Sequence, residues 1–252
     1  MNTSFNSPRT APVQLLASQV TMNYSAQNPS QKQSPQQNSG SIDTRPALTN
    51  VDLRLSRGES LAIMGPSGSG KSTLLHILAG IIKPTAGDVM WNGLRYSQMS
   101  DAQRTKLRRT AFGFVFQSGQ LLPELPAVEN VALPLMLAGA KPNEAKQQAQ
   151  EWLMSLGLQG LLDRRPGELS GGQSQRVAIA RAMAINPGVI FADEPTGALD
   201  QRTGMEVMQI LTDVAQRNSA TLVVVTHDAR MASFCSRTVW IQDGVLSEQV
   251  SQ

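Results

Sequence analysis

Gly65-Pro66-Ser67-Gly68-Ser69-Gly70-Lys71-Ser72 is the densest run of chemically useful residues in the chain. Its glycines let backbone N–H groups turn inward around phosphate oxygens, and Lys71 falls where an ammonium would neutralise the β- and γ-phosphates of a nucleoside triphosphate. Ser72 offers a hydroxyl to Mg²⁺ and Thr73 one to the α-phosphate. A second cluster is Val189-Ile190-Phe191-Ala192-Asp193-Glu194, an apolar run that ends in two carboxylates. Asp193 suits a hydrated divalent ion, and Glu194 suits general-base activation of a water in line with the γ-phosphate. Thr226-His227-Asp228 ends another apolar run. His227 is therefore a candidate γ-phosphate contact, with a satisfied core histidine as the alternative, while His76 is assigned to packing. Leu169-Ser170-Gly171-Gly172-Gln173 reads either as a second helix start whose bare backbone can approach a phosphate, or as a flexible turn. Together these residues point to hydrolysis of a nucleoside triphosphate.

The elements around them have to put these groups at one place. An apolar run from Ser60 to Met64 leads into the glycine-rich loop, and Lys71 to Ala79 reads as a helix stopped by Gly80. Val189 to Ala192 and Leu222 to Val225 are uniformly apolar without alternation, as strands covered on both faces of a parallel sheet are. In such a sheet ligands bind at the carboxyl ends of the strands, so Met64, Asp193 and Thr226 would face one crevice. Val51, Leu53 and Leu55 alternate as a strand, and Val239 to Ile241, Asp243-Gly244 and Val245-Leu246 read as a hairpin. Leu16, Val20, Met22 and Tyr24 are expected on one face of an extended chain, interrupted at Ser18. Ala145, Ala149, Trp152, Leu153 and Leu156 follow helical spacing behind a predicted N-cap at Asn143. The expected fold is α/β: a phosphate-loop core sheet, a helical portion within 101–169, and an N-terminal antiparallel portion. One domain would span 14–248, with a disordered polar segment at 1–13, a flexible insert at 25–46 and a short tail at 249–252.

The 252 residues carry 22 Lys and Arg against 19 Asp and Glu, a net charge of +3 that is far short of a nucleic-acid-coating protein. A single cysteine and the lack of a charged-then-apolar leader are read as cytosolic, reducing surroundings. The most apolar long stretch, Leu121 to Ala140, is interrupted by Pro123, Pro126 and Pro134 and carries Glu124 and Glu129, which excludes a spanning helix. Leu121 and Leu122, on a proline-stiffened loop after Gln117, are candidates for gripping a membrane partner, with packing against the helical portion as the alternative. Arg104, Lys106, Arg108 and Arg109 read as a solvated helix face or a contact for lipid headgroups or a membrane partner.

The order of these motifs resembles that of the ABC ATPases from Leu48 to Leu246. Gly65 to Thr73, Gly113 to Gln117, Glu129 to Leu135 and Ala192 to Asp200 resemble in particular the branch of macrolide-exporter, lipoprotein-releasing and antimicrobial-peptide-resistance ATPases. The resemblance implies ATP and Mg²⁺ as ligands, Ser170 to Gln173 as the signature that reaches the γ-phosphate held by a second ATPase subunit, and separate permease subunits in the membrane. It implies that Gln117 contacts the metal and water, that Asp200 faces the opposite phosphate loop, and that Tyr24 stacks on adenine. Ser174 stands where the family commonly has glutamine, and the segment after Tyr24 is longer than the family's usual connection, so Tyr24 could equally be a plain strand residue. The implied location is the cytoplasmic face of the cell membrane, and the implied function is export or extrusion of lipoprotein, peptide or drug. The same motor in a non-transporting mechanotransmission complex is the rival reading.

The segment from Gln27 to Thr44 has too little apolar surface to belong to a core. Its deletion is expected to shift the melting temperature by no more than a few degrees and to leave ATP hydrolysis near the wild-type rate. A large fall in melting temperature on calorimetry would contradict that expectation.

Overall fold

The computed structural model describes residues 12–24 and 45–248. Most of the segments expected to be flexible (1–11, 25–44 and 249–252) therefore lie outside the described residues. Val13, expected in the polar N-terminal segment, already begins a strand, and the Pro12 carbonyl accepts the Arg57 N–H at 3.2 Å.

The chain opens with β1 (Val13–Met22), β2 (Leu48–Ser56), β3 (Ser60–Met64) and α1 (Lys71–Leu78), followed by β4 (Ala86–Trp91), β5 (Leu94–Arg95), α2 (Asp101–Ala111) and β6 (Phe112–Phe116). Next come α3 (Ala127–Leu137), α4 (Pro142–Ser155), α5 (Gly171–Met183), β7 (Val189–Asp193) and α6 (Gln201–Arg217). The last elements are β8 (Thr221–Val225), α7 (Ala229–Ala232), β9 (Arg237–Gln242) and β10 (Val245–Glu248). An antiparallel sheet has the order β2-β1-β4-β5, and a larger sheet has the order β10-β9-β3-β8-β7-β6. In the larger sheet β9, β3, β8, β7 and β6 run parallel and only β10 is antiparallel. β3, β6, β7 and β8 therefore deliver Met64, Phe116, Asp193 and Val225 to one edge.

Why the central strands are apolar at every position follows from their two faces. Val189 and Phe191 of β7, with Val223 and Val225 of β8, join α1 and the antiparallel sheet in one core. Ile190 and Ala192, with Leu222 and Val224, pack on the opposite side with α3, α4, α5 and α6. Both faces are buried, so neither strand alternates. The interval 101–169 is not purely helical, because β6 lies within it and forms the edge of the larger sheet. β6 can lie close to α5 because residue 113 is glycine; a Cβ there would sit 2.6 Å from the Ala182 carbonyl oxygen.

Two local expectations are corrected. The buried face of β1 is Leu15, Ala17, Val20 and Met22, whereas Leu16 is half-buried on the other side. A bulge between Ala17 and Val20, with Gln19 at φ 51, inserts an extra residue and switches the inward positions from odd to even numbers. α4 starts two residues earlier than expected, with Lys141 as N-cap and Pro142 in the first helical turn, so Asn143 is helical rather than the cap. Ala145, Ala149 and Leu153 are nonetheless its buried face.

Gly113→Ala keeps an extended backbone accessible and isolates the β6–α5 approach. It is expected to lower unfolding free energy by about 1–3 kcal/mol in urea denaturation, the usual cost of overpacking; an unchanged midpoint would show that α5 can retreat freely.

Candidate functional site

The glycine-rich loop between β3 and α1 is shaped from behind by other parts of the chain. Gly65, at φ 148, backs onto the β9–β10 hairpin, and a Cβ there would lie 2.0 Å from the Ile241 carbonyl oxygen. Gly70, the N-cap of α1 at φ 104, backs onto the Ala47 carbonyl at a corresponding 2.3 Å. Any side chain at either position would push the loop off its support. The hairpin turn adds a hydrogen bond from Gly244 N–H to the Ser69 carbonyl at 3.1 Å. The open side differs: a Cβ on Gly68 would meet nothing within 4 Å.

That open side is chemically suited to an anion. α1 has no side-chain cap and no acidic residue in its first turn, which leaves its first N–H groups and positive dipole end available. Lys71 is buried and its ammonium donates to the Pro66 carbonyl at 2.7 Å. The Ser69 hydroxyl lies instead behind the loop, 2.8 Å from where a Gly65 Cβ would sit, and is buried with no hydrogen-bond partner. The Tyr24 hydroxyl lies 3.3 Å from that of Thr73, so the exposed Tyr24 ring stands at the mouth of the loop.

Strand β7 brings its carboxylates to the same edge. Ser72 donates to Asp193 Oδ1 at 3.1 Å, pairing a hydroxyl and a carboxylate oxygen as hard ligands require. Burial pushes the Asp193 carboxyl above the usual carboxylate range and Glu194 adds to the rise, while Ser72, His76 and Lys71 oppose it. His76, assigned to packing, is half-buried and near enough to Asp193 to oppose that rise. A bound Mg²⁺ would favour the ionised form of Asp193 and neutralise phosphate oxygens; Ser72, Asp193 and Gln117 are the residues that would hold it.

Glu194 adopts φ 46, a conformation that costs a non-glycine residue about 1–3 kcal/mol. Its N–H donates to the Val225 carbonyl at 2.9 Å and its carbonyl accepts from Gly197 at 3.0 Å, which together hold the turn. The carboxylate Oε1 lies 3.2 Å from His227 Nδ1, from the end of β8. Gln117 arrives from β6: a Cβ on Gly197 would be 2.7 Å from Gln117 Nε2 and 3.2 Å from Glu194 Oε2. Lys71, Ser72, Gln117, Asp193, Glu194 and His227 thus come from four strand ends to one crevice.

Ser170, Gly171, Gly172 and Gln173 make no hydrogen bond to that crevice among the described residues. Ser170 caps α5 reciprocally with Gln173: the Gln173 N–H donates to Ser170 Oγ at 3.3 Å, and the Ser170 N–H to Gln173 Oε1 at 2.8 Å. Gly171 is exposed, but Gly172 is buried, and its missing Cβ would lie 2.6 Å from Thr203 Cγ2. The second glycine is therefore required at least by the packing of α5 on α6, which its reading as bare backbone for a phosphate overlooked. Asp200 caps α6, accepting from the Thr203 N–H at 3.1 Å.

Sequence reasoning missed the residues that hold the segment after Gln117. Asn130 is buried; its Oδ1 accepts from the Leu122 N–H at 2.7 Å, and its Nδ2 donates to the Leu122 and Leu125 carbonyls at 3.0 and 2.9 Å. Arg181 donates to the Gly119 and Gln120 carbonyls, each at 2.7 Å. The available signal was an asparagine on the buried face of α3, among Val128, Val131 and Ala132.

Comparison with known proteins agrees with this geometry. Residues 48–197 match the family described as ABC transporter. A relative described as the lipoprotein-releasing system ATP-binding protein LolD of Geobacter metallireducens is 46% identical over 206 residues, 81% of this chain and 92% of the relative. The solved dimeric structure of MJ0796, a bacterial ABC transporter cassette, superposes with TM-score 0.79 at 40% identity over 94% of this chain and all of that one. The post-hydrolysis dimer of MJ0796 bound to ADP and Pi gives 0.78 at 39% identity with the same coverage. CbiO1 from Clostridium perfringens gives 0.78 at 27% identity over 93% of this chain and 87% of that one.

Glu194→Gln preserves shape while removing the carboxylate; if that carboxylate is the general base, the substitution lowers kcat by about 10²–10⁴-fold with ATP still bound. Lys71→Ala is expected to weaken ATP binding itself. Phosphate release and nucleotide binding measured on both variants check this; wild-type turnover in Glu194→Gln would remove Glu194 from the role of base.

Proposed function

Because the chain belongs to the ABC transporter family as an ATP-binding and ATP-hydrolysing subunit, we propose that two copies close over two ATP molecules and thereby drive membrane permease subunits. The observation that carries the pairing is the division of the machinery into two unlike halves. One half is a cradle with an ammonium, an uncapped helix start and the Asp193–Glu194 pair. The other is an exposed, capped helix start at Ser170 to Gln173 with no phosphate-binding partner in its own chain among the described residues. A two-fold arrangement sets each half against the complementary half of the other copy. The dimeric assemblies of the 39–40% identical cassettes support that arrangement.

Within each site Lys71 and the loop N–H groups bind the phosphates, and Ser72, Asp193 and Gln117 hold Mg²⁺. Tyr24 stacks on adenine, Glu194 takes a proton from the attacking water, and His227 orients the Glu194 carboxylate through its Nδ1 contact. Ser170 to Gln173 of the second copy face the γ-phosphate and Asp200 faces the opposite loop. Closure with ATP and opening after hydrolysis is a shift between two states biased by γ-phosphate contacts. The cargo reading is export or extrusion of lipoprotein, peptide or drug, and the lipoprotein-releasing relative favours the first.

No helix among the described residues is long and apolar enough to cross a membrane. The permease reading instead rests on a groove of about 540 Å³ bounded by α2, β6, α3 and α5. Phe114, Phe116 and the exposed Leu137 and Ile81 line it, Arg108, Arg109 and Arg181 ring it, and no carboxylate does. It adjoins the loop after Gln117, so a permease segment seated there would lie next to the phosphate site. Of the two leucines expected to grip a partner, Leu121 packs partly against the core and only Leu122 is exposed, at 41%. The subunit would then sit peripherally on the cytoplasmic face of the membrane.

Leu137→Asp and Leu122→Asp are expected to reduce permease-stimulated hydrolysis about five-fold or more while leaving the isolated subunit's rate within about two-fold, as removal of an interface anchor does. The assay is hydrolysis with and without permease in proteoliposomes. Full stimulation in both variants would place the docking surface elsewhere.

A further inference from the structure

The turn that presents Gln117 is anchored by a residue outside the machinery described so far. The Phe116 carbonyl accepts the Gly119 N–H at 2.9 Å, closing a tight turn with Gln117 and Ser118 at its corners. The same carbonyl accepts a second hydrogen bond, from Gln175 Nε2 at 2.9 Å. Gln175 belongs to α5 and is only 2% exposed. Its Oε1 faces the other end of the turn, where a Cβ on Gly119 would lie 3.4 Å away. Gly119 itself is at φ 70, so the turn both needs glycine and uses the space that glycine leaves.

The position is unusual for an amide. The buried residues that follow on α5 are Val177, Ala178, Ile179, Ala180, Ala182 and Met183, all apolar. A primary amide among them is stabilised only where its groups find partners, and the partner here is the residue immediately before Gln117. Arg181 holds the next stretch, Gly119 and Gln120, but through the outer side of the loop, towards the groove. Gln175 alone grips the carbonyl on which the Gln117 turn closes.

We propose that Gln175 is a positioning residue for ATP hydrolysis: it ties the Gln117 turn to α5 and thereby holds the Gln117 amide beside Gly197 and Glu194. The proposal rests on the reading of Gln117 as a group acting at the γ-phosphate. Gln175 touches neither nucleotide nor metal, and its influence passes entirely through the backbone at Phe116. Gln175 makes no hydrogen bond to the phosphate loop or Lys71 among the described residues, and Phe116 stays paired with Asp193 in the sheet, so nucleotide affinity is preserved while the reacting geometry at Gln117 loosens.

Steady-state hydrolysis by the full chain with Mg-ATP provides the test, as a double-mutant cycle between Gln175 and Gln117. Gln175→Met keeps length and packing without the donor, and Gln175→Glu keeps the shape of the amide. Each is expected to lower kcat about ten-fold, the scale of a sub-ångström misplacement of a reacting group, with KM for ATP within about two-fold of wild type. In a Gln117→Ala background neither is expected to lower kcat further. Wild-type kcat in Gln175→Met would overturn the proposal. So would an equal loss with and without Gln117, which would mark Gln175 as a packing residue. If Gln175→Met does not fold, Gln175→Glu carries the cycle alone. Wild-type kcat in Gln117→Ala is a separate result, which strikes the reading of Gln117 rather than the tether.

Discussion

The hydrogen bond from the Ser72 hydroxyl to the Asp193 carboxylate, 3.1 Å long, joins two parts of the chain 121 residues apart and ties the phosphate loop to the acidic strand end. It can form because β8 pairs in parallel with both β3 and β7 and holds their carboxyl ends level. Ile63 aligns with Val225, and Val225 with Asp193, so one register brings the end of β3, two residues before the loop, and the first carboxylate to the same height. A slip of one residue in either pairing would turn the core side chains of a strand to the opposite face. The two apolar cores on either side of the sheet therefore fix the catalytic register as a by-product of fixing the fold.

That rigidity also sustains local strain. Glu194 is held at positive φ by two backbone hydrogen bonds, one to β8 and one across its own turn, and the conformation aims its carboxylate at His227. Relaxing to an extended backbone would take this carboxylate out of the crevice, so the cost is met by the sheet beneath it. The glycine-rich loop is braced in the same manner. Its rear rests on the Ile241 and Ala47 carbonyls, which leaves its front with an uncapped helix end and a buried ammonium. That ammonium is held by the Pro66 carbonyl.

Much of this was legible because the chemistry demands rare residue patterns. The glycine-rich loop, the strand ending in Asp193-Glu194 and the strand ending at Thr226 announce both the parallel sheet and its functional edge, and the elements form where they were expected. What escaped was set by tertiary contacts without a local signature. The bulge at Gln19 reversed the inward face of β1, since period-two alternation cannot show an inserted residue until the partner strands are known. Gly172 resembled a phosphate-approach glycine, yet its side-chain position is occupied by Thr203 of α6. Asn130 and Gln175 were buried amides on helices; Asn130 bonds the backbone of the irregular loop just before its own helix, and Gln175 a carbonyl 59 residues away, partners that no spacing rule predicts. The helix start at Ser170 was legible from its residues, but its role as a signature came by resemblance, because nothing among the described residues completes it.

The centre of the account is the proposal that each ATP site takes its cradle from one copy and its signature from the other. Lys71→Ala disables a cradle, and Ser170→Arg blocks a signature while leaving the cradle intact. Each variant alone should be inactive. Mixed and allowed to exchange partners, half of the pairs contain one of each chain, and each of these has one intact site, so about a quarter of wild-type hydrolysis should return. Hydrolysis that stays at background in the mixture, with both variants folded and able to pair, would contradict the composite site and require each chain to complete its own.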